Sequence, residues 1–424
     1  MLERKARLRT LARIARAIAT CAIVLAGAAR TQPLRQDWPG ASWPRLETSS
    51  PTHYRALVES GACRDDFIPF ATGRGQGRDA FLTDGLVVAR GGTILFEHYD
   101  AEYDAARPHV LWSASKSVTA TLLGAAIQAG TRLPGGAPLT LDTPLQSVFP
   151  ASLRRVTGPD THAAHYRQIR LRHLLGMTAG FAWRETYEAD ITHSSFLPML
   201  YLEGQRNMSR YAMDQPMLAE PPGTRWTYSG GNSNIIMAVL RAAAGPRYAT
   251  LPWDLLFGPL GMEVDPARGV GPVWERDGSG HFVGSSYLNL APRDMARIGL
   301  LYLRDGIWQG RRILPEGWIA QARRFNTAQG NVALGPEYVR MINDEGIFSD
   351  GTFWLNVEVP GLAVQFPNAP RDLFMAAGHY GQVLIMLPTQ DLIIARTGHD
   401  PEYWSRLDRL ITAALRCFGE VPPP

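Results

Sequence analysis

Residues 111–130 read LWSASKSVTATLLGAAIQAG, in which a serine and a lysine stand three positions apart at the start of an apolar run. Small and aliphatic residues occupy every side of this run at helical spacing, which is typical of a helix that is buried all round. A helix from about Ser113 to Ala129 is therefore predicted. Because positions i and i+3 share a helix face, Ser113 and Lys116 are expected to lie side by side near its start.

Lysine is rare in this chain: of 43 basic residues only Lys5 and Lys116 are lysines. A guanidinium keeps its proton in proteins, whereas burial can make a lysine amine neutral because desolvation disfavours its charged form. A neutral amine beside Ser113 could take the hydroxyl proton and turn the serine into a nucleophile. The pair also suits a plain helix cap beside a solvent-exposed charge, so it does not establish a site by itself.

The N-terminus has the layout of a secretory signal peptide. A basic opening precedes an apolar run at residues 17–29, with small residues at Ala26 and Ala28. This predicts removal of residues 1–29 and a periplasmic or secreted protein, the alternatives being a transit peptide or an uncleaved N-terminal anchor. Without residues 1–29, 37 basic and 38 acidic residues remain, which gives no compositional support for nucleic-acid binding. No later apolar stretch reaches the ~20 residues of a membrane span.

Strand-like and helical segments are unevenly distributed along the chain. After a lead-in at residues 30–53, GLVVARGGTILFEHY (85–99) predicts a β-hairpin around Gly91-Gly92. Residues 131–290 alternate helical segments with Pro/Gly-rich loops, whereas TFWLNVEV (352–359), GQVLIMLP (381–388) and LIIARTG (392–398) are strand-like before a final helix. We therefore predict one α/β or α+β domain at residues 54–424, with a sheet made by both ends of the chain and a mainly helical insertion.

The cysteines and the missing motifs narrow the functional classes. Cys21 lies in the predicted signal peptide, so Cys63 and Cys417 remain, either as a disulfide or as two buried thiols. No Cys/His spacing indicates a metal site. The chain also lacks a Gly-x-Ser-x-Gly elbow and a P-loop, which argues against an α/β-hydrolase and a P-loop nucleotide-binding protein.

Six stretches in order resemble the serine β-lactamase and penicillin-binding-protein superfamily, most closely its class C branch. That branch includes class C β-lactamases, D-aminopeptidases, family VIII esterases and 6-aminohexanoate-dimer hydrolases. The similar stretches are GLVVARGGTILFEHY, WSASKS, IRLRHLLGMTAGF, EPPGTRWTYSGGNSNIIMAVL, YLNLAPRDMARIGLLYLRDGIWQGRRILPEGWI and AAGHYGQVLIMLPTQDLIIARTG. The resemblance implies a β-lactamase/transpeptidase-like fold, with an antiparallel sheet formed by N- and C-terminal segments and an inserted helical region.

The resemblance also implies roles for individual residues. Ser113 would be the nucleophile, with Lys116 and Tyr228 sharing the proton transfers; either a tyrosinate or a neutral lysine could be the base. His379, Tyr380 and Gly381 stand where most β-lactamases have Lys-Thr-Gly. The backbone N–H of Gln382, with that of Ser113, would bind the oxyanion. No metal or organic cofactor is implied.

Two departures from the family pattern argue against penicillin as the substrate. Gly230 replaces the asparagine that ends the second motif; Asn232 or Asn234 could substitute for it, although we expect both to cap the following helix. His379, mostly neutral near pH 7, offers a substrate carboxylate less positive charge than lysine does.

The sequence thus predicts an exported serine hydrolase that cleaves an ester or amide in a small molecule or peptide through an acyl-enzyme on Ser113. One alternative is a β-lactamase, D-Ala carboxypeptidase or D-aminopeptidase. Another is a non-catalytic member that binds peptidoglycan or peptide. The natural substrate and the oligomeric state do not follow from the sequence.

Overall fold

A six-stranded antiparallel sheet forms the centre of the structure, which is a computed structural model that describes residues 38–73, 80–100, 102–151, 160–187, 191–265 and 269–419. The predicted signal peptide lies outside the described residues. The strand order is β2-β1-β11-β10-β9-β8. Its members are β1 (Thr83–Arg90), β2 (Thr93–Tyr99), β8 (Trp354–Leu355), β9 (Phe374–Gly378), β10 (Gln382–Leu387) and β11 (Leu392–Gly398).

The predicted hairpin at the start of the sheet is confirmed. Strands β1 and β2 pair antiparallel, and Gly91 and Gly92, which join them, have φ of 56° and 80°. A two-residue turn with both φ values positive matches the right-handed twist of the strands, and glycine adopts it without steric cost.

The central strands come from opposite ends of the chain. Strand β1 pairs with β11 from Thr83↔Gly398 to Arg90↔Leu392, and β11 pairs in turn with β10. The predicted sheet of N- and C-terminal segments is therefore confirmed. One strand-like segment is shorter than predicted, because only Trp354 and Leu355 of TFWLNVEV join the sheet. The next residue, Asn356, is buried, and its side-chain amide donates hydrogen bonds to the carbonyl oxygens of Phe366 and Ala369. These carbonyl groups are therefore hydrogen-bonded by a side chain and not by a neighbouring strand.

The remaining elements lie before, between and after these strands. The helices are α1 (Leu46–Ser49), α2 (Pro51–Val58), α3 (Ile68–Thr72), α4 (Ala114–Gln128), α5 (Leu145–Val148), α6 (Asp160–Gln168), α7 (Leu171–Leu175), α8 (Phe196–Tyr201), α9 (Met208–Met213), α10 (Gly230–Ala244), α11 (Pro292–Leu303), α12 (Trp318–Ala322), α13 (Pro336–Glu345) and α14 (Tyr403–Phe418). Ala62–Phe67 and Trp253–Phe257 are π-helical, and single 3₁₀ turns occur at Ile191–His193, Glu203–Arg206, Gly245–Ala249, Val332–Leu334 and His379–Gly381. Short strands are β3 (His109–Val110), β4 (Val273–Trp274) and β5 (Leu288–Leu290), which form one small sheet, and β6 (Ile307–Trp308) and β7 (Arg311–Arg312), which form another.

Both faces of the central sheet are buried, because alternate residues of each strand enter different cores. Val87 and Ala89 of β1 belong to the core shared with α4 and α11, whereas Leu86 and Val88 belong to the core shared with α14 and the N-terminal helices. The sheet therefore lies between two helical layers. In the part of the chain described here, no helix is both long and apolar enough to span a membrane.

The second core contains a disulfide between Cys63 and Cys417, whose Cα atoms lie 4.7 Å apart. Cys63 belongs to the π-helical segment and Cys417 to α14, and their side chains are buried. The structure therefore decides between the two states that the sequence left open, in favour of the disulfide.

Candidate active site

Ser113 occupies the N-cap position of α4, and Lys116 lies one turn further along the helix. The Lys116 ammonium nitrogen lies 2.7 Å from Ser113 Oγ, as the i, i+3 spacing predicts. The preceding residue, Trp112, has φ of 47°, a left-handed conformation that is uncommon for a bulky residue and frequent at functional sites. Across from this turn, a Cβ at Gly378 would collide with the Leu111 carbonyl oxygen, so glycine is needed for β9 to pass so close to Ser113.

Lys116 is almost completely buried, with 1% of its side chain exposed. Its Nζ lies 2.9 Å from Glu185 Oε1 and 3.2 Å from the Ser285 carbonyl oxygen. The ring centres of Phe196 and Tyr228 lie 5.2 and 4.8 Å away. Burial lowers the pKa of the Lys116 amine, while the charge and hydrogen bond of Glu185 act in the opposite direction. The site therefore holds a lysine whose pKa is below its ordinary value even with a carboxylate beside it.

Glu185 is a residue of the site that the sequence analysis did not identify. Its Oε2 accepts hydrogen bonds from Trp183 Nε1 at 2.6 Å and from the Gly230 backbone N–H at 2.7 Å, while Oε1 faces Lys116. Only 4% of its side chain is exposed. A weak signal was present in FAWRETY, where an acid stands between aromatic residues in a loop, but its burial depends on contacts with distant segments.

Gly230 is needed for this arrangement. A Cβ there would lie 2.6 Å from the Phe196 ring and 3.1 Å from Glu185 Oε1. The expectation that Asn232 and Asn234 cap the next helix is wrong: Ser229 is the cap, accepting from Asn232 N at 3.2 Å, because α10 already begins at Gly230. Both asparagines lie inside α10 and are buried.

Tyr228 lines the same cleft as Ser113, and its phenol interacts with the Ser113 hydroxyl. Burial, reinforced by the negative charge of Glu185, raises the pKa of this phenol far above its ordinary value. The Tyr228 side chain is therefore a neutral donor at physiological pH. The structure thus brings Tyr228, from a distant part of the sequence, close to Ser113 and Lys116.

A second tyrosine lies beside the same serine. The Tyr187 phenol interacts with Ser113, and its ring stacks on His379 with ring centres 5.5 Å apart. Burial lowers the pKa of His379, which favours the neutral imidazole.

The segment of the third motif is a turn between strands. His379–Gly381 connects β9 to β10, with Tyr380 at φ 61°. The short connection leaves three residues to reverse the chain between Gly378 and its partner Gln382. Gln382 is fully buried, and its side chain bonds to Gly398 and to the His379 carbonyl oxygen. His379 lines the cleft beside Ser113, whereas Gln382 is not among the described residues that do so.

The cleft above Ser113 has a volume of about 860 Å³. Its walls are mainly aromatic and acidic, and none of the described residues that line it is a lysine or an arginine. Burial and the charge of Glu185 raise the pKa of Glu345 to about 7. The lining residues are Ser113, Glu185, Thr186, Tyr187, Tyr228, Asp344, Glu345, Trp354, Ala377, Gly378, His379, Tyr380, Pro401, Tyr403 and Trp404.

Comparisons with known proteins agree with this geometry. A family model described as Beta-lactamase matches residues 73–415. The chain is 22% identical over 308 residues to a 6-aminohexanoate-dimer hydrolase of Paenarthrobacter ureafaciens, covering 68% of this chain and 73% of that protein. A putative 6-aminohexanoate-dimer hydrolase from Bacillus anthracis superposes with a TM-score of 0.59 at 19% identity, covering 81% of each chain. A family VIII carboxylesterase superposes with a TM-score of 0.55 at 15% identity, covering 86% of this chain and 97% of the other. At these identities the two structures show a shared fold.

Proposed function

Because the chain belongs to the beta-lactamase family of serine hydrolases, we propose that it cleaves an ester or amide bond through an acyl-enzyme on Ser113. The observation that carries this proposal is the 2.7 Å contact between Lys116 Nζ and Ser113 Oγ at the floor of an open cleft. A nucleophile and a base within hydrogen-bonding distance are the minimum for such chemistry.

Lys116 is the base in this proposal and Tyr228 the relay. The lowered pKa of the amine supports its neutral form, and the raised pKa of the phenol argues against a tyrosinate. Lys116 takes the proton as Ser113 Oγ attacks the carbonyl carbon; Tyr228 then donates its hydroxyl proton to the departing alcohol or amine and is reprotonated by the Lys116 ammonium, which returns to the neutral amine. In the second half of the cycle the Lys116 amine takes a proton from the water that attacks the acyl carbon, and that proton returns to Ser113 Oγ as the acid departs.

The oxyanion is stabilised by backbone N–H groups in this mechanism. The N–H of Ser113, at the start of α4, is one donor. The predicted second donor was Gln382, but residues 377–379 line the cleft beside Ser113 and Gln382 does not, so we assign the second donor to that segment.

The charges of the cleft bear on the substrate. Glu185, Asp344 and Glu345 line it without a lysine or arginine among the described lining residues, so a substrate carboxylate would meet like charges. The cleft therefore favours neutral substrates or those with a protonated amine. This argues against penicillins, which carry a carboxylate, and agrees with the replacement of lysine by His379.

Export is part of the proposal. The N-terminal segment has the layout of a signal peptide, and the Cys63–Cys417 disulfide is of a kind that persists in oxidising compartments such as the periplasm.

Intact-mass measurement of the acyl-enzyme tests this function. The purified protein is exposed separately to a p-nitrophenyl ester, an anilide of an amino acid and a penicillin. We expect a mass increase with the ester or the anilide, smaller or absent with the penicillin, and lost in Ser113→Ala. The matched control is Ser117→Ala on the same helix, whose hydroxyl bonds to the Thr352 carbonyl oxygen. Absence of any adduct in the wild type would support a binding protein without catalysis, and penicillin labelling alone would support the β-lactamase alternative.

A further inference from the structure

Three side chains from distant parts of the sequence meet at one end of the central strands β1 and β11, and none of them is among the described residues that line the cleft. Asp84 Oδ2 lies 2.9 Å from His109 Nε2 and 2.6 Å from His399 Nδ1. The three potential ligand atoms lie within 4.8 Å of one another. Asp84 belongs to β1, His109 to β3, and His399 directly follows β11.

The surroundings of His109 suit a metal ligand. Nδ1 lies 3.0 Å from the Val110 carbonyl oxygen, which can only accept, so the ring tautomer that donates there leaves the Nε2 lone pair free. Nε2 faces Asp84 Oδ2 at 2.9 Å. In this tautomer a metal ion could be bound by the imidazole nitrogen and the carboxylate oxygen together.

A metal ion fits the rest of this arrangement. Histidine ligands of metals usually donate their other N–H to a backbone carbonyl or a carboxylate, which fixes the ring and aims the free nitrogen, as Val110 does for His109. Two imidazoles and one carboxylate with an open fourth position are a common zinc-binding set. Asp84 and His109 are buried, whereas 59% of the His399 side chain is exposed, so one side of the trio faces solvent.

We propose that Asp84, His109 and His399 bind one divalent transition-metal ion, with Zn²⁺ the best match. Metal–ligand bonds of about 2.0–2.1 Å in a tetrahedron place ligand atoms roughly 3.3 Å apart. The 2.6 Å separation between Asp84 and His399 must therefore widen by about 0.7 Å, which the exposed His399 ring can provide. The 2.9 Å separation between Asp84 and the buried His109 must widen by only about 0.4 Å.

The position of the trio suggests that the ion has a structural role. None of the three residues is among those described as lining the cleft. His109 precedes Ser113 by one short segment of chain, and the residue after His399, Asp400, donates its N–H to the Tyr380 carbonyl oxygen at 3.0 Å. An ion here would link the ends of β1 and β11 to the segment that leads from β3 to Ser113. Through Asp400 it would also stabilise the position of the His379–Gly381 turn beside the cleft. The ligands are so far apart in sequence that no motif spacing could reveal them.

Zinc titration of the full mature chain tests this site. After removal of metal with EDTA and dialysis, calorimetry with Zn²⁺ alone should give one equivalent bound, and Co²⁺ should give the visible absorption of a tetrahedral complex. His399→Gln, which alters an exposed ring, should weaken Zn²⁺ binding at least tenfold and abolish the zinc-dependent rise in Tm. The matched control is His281→Gln, since His281 faces a single carboxylate, Asp277, at 3.7 Å; its zinc affinity should equal that of the wild type.

Two outcomes overturn the proposal. One is a wild-type chain that binds no Zn²⁺ at micromolar concentration. The other is a His399→Gln variant that binds Zn²⁺ as tightly as the wild type. Both readouts are independent of hydrolytic activity, so failure of the proposed function leaves this test unaffected.

Discussion

Lys116 Nζ and Glu185 Oε1 form a 2.9 Å ion pair with almost no solvent contact on either side. Removing one partner of a buried pair commonly costs about 3–5 kcal/mol because the other charge is left uncompensated. If Glu185 were removed, Lys116 could avoid the cost of an uncompensated buried charge by releasing its proton and becoming neutral. The pair therefore couples the protonation of the proposed base to the charge of the Glu185 carboxylate.

The first prediction concerns the pH dependence set by Glu185. Its charge and hydrogen bond raise the pKa of Lys116 against the larger effect of burial, so Glu185→Gln should lower that pKa further. Neutral Lys116 would then persist to lower pH, and the acidic limb of the kcat/KM profile should move to lower pH. The glutamine oxygen can still accept from Trp183 and Gly230. If the acidic limb does not move in Glu185→Gln, Lys116 is not the base. The control is Glu337→Gln, which changes an exposed carboxylate and should leave the pH profile unchanged.

The second prediction concerns the Tyr228 hydroxyl. Because burial keeps this phenol protonated, Tyr228→Phe removes a proton relay while its ring still packs against Trp354. We expect kcat to fall by about 10²–10⁴-fold with little change in Tm. Rapid-quench measurement of acyl-enzyme formation gives the rate directly. Tyr302→Phe removes a buried hydroxyl far from the cleft and should leave that rate unchanged, whereas near-normal acylation in Tyr228→Phe would exclude the relay.

The third prediction concerns Glu345, whose pKa is raised to about 7. The carboxyl is mostly neutral below this pH and gains its charge above it, so KM for an ester with a protonated amine should fall as pH rises from 6 to 8. KM for a neutral ester should change little. In Glu345→Gln, KM should vary with pH in the same way for the ester with a protonated amine and for the neutral ester. A pH-dependent difference that survives this substitution would assign the effect to another group.

The fourth prediction concerns the Cys63–Cys417 disulfide. Its residues are 354 positions apart, and closing so long a loop restricts the unfolded chain strongly. Cys63→Ser combined with Cys417→Ser should lower the free energy of unfolding by roughly 2–5 kcal/mol, measured by denaturant titration. Dithiothreitol should lower the wild-type midpoint and leave that of the double variant unchanged. Equal midpoints for the oxidised wild type and the double variant would contradict this contribution.

The fifth prediction tests the packing of α4. A Cβ at Gly124 would lie 2.6–3.0 Å from three ring atoms of Trp318. Alanine gains up to about 1 kcal/mol of helix propensity over glycine, but overpacking a core costs about 1–3 kcal/mol. Gly124→Ala should therefore lower stability by roughly 1 kcal/mol, as measured by urea unfolding. Adding Trp318→Phe should relieve the clash, so the two changes should be non-additive; strict additivity would show that they do not interact.

Local patterns in the sequence predicted the features that depend on neighbouring residues. The Gly91-Gly92 turn and the start of α4 at Ser113 follow from backbone preference and hydrophobic period, which act over a few residues. The resemblance supplied Tyr228, whose position near Ser113 no spacing rule could give.

Features that depend on distant contacts could not be predicted in the same way. Glu185 becomes buried because Trp183, Gly230 and Lys116 surround its carboxylate. Asn232 and Asn234 were expected to be helix caps because they are good ones, but Ser229 already fills that position. The site of Asp84, His109 and His399 likewise exists only after three strand ends have met.

The pairing of β1 with β11 also determines when this protein can fold. The paired residues are separated by roughly 300 positions, so at about 5–20 residues per second a ribosome needs about 15–60 s after making β1 before its partner strand exists. During that interval β1 and β2 can form only their own hairpin, with an unpaired apolar edge exposed to aggregation. A chain that ends upstream of Leu392 therefore lacks the strand that pairs with β1 and cannot complete its central sheet.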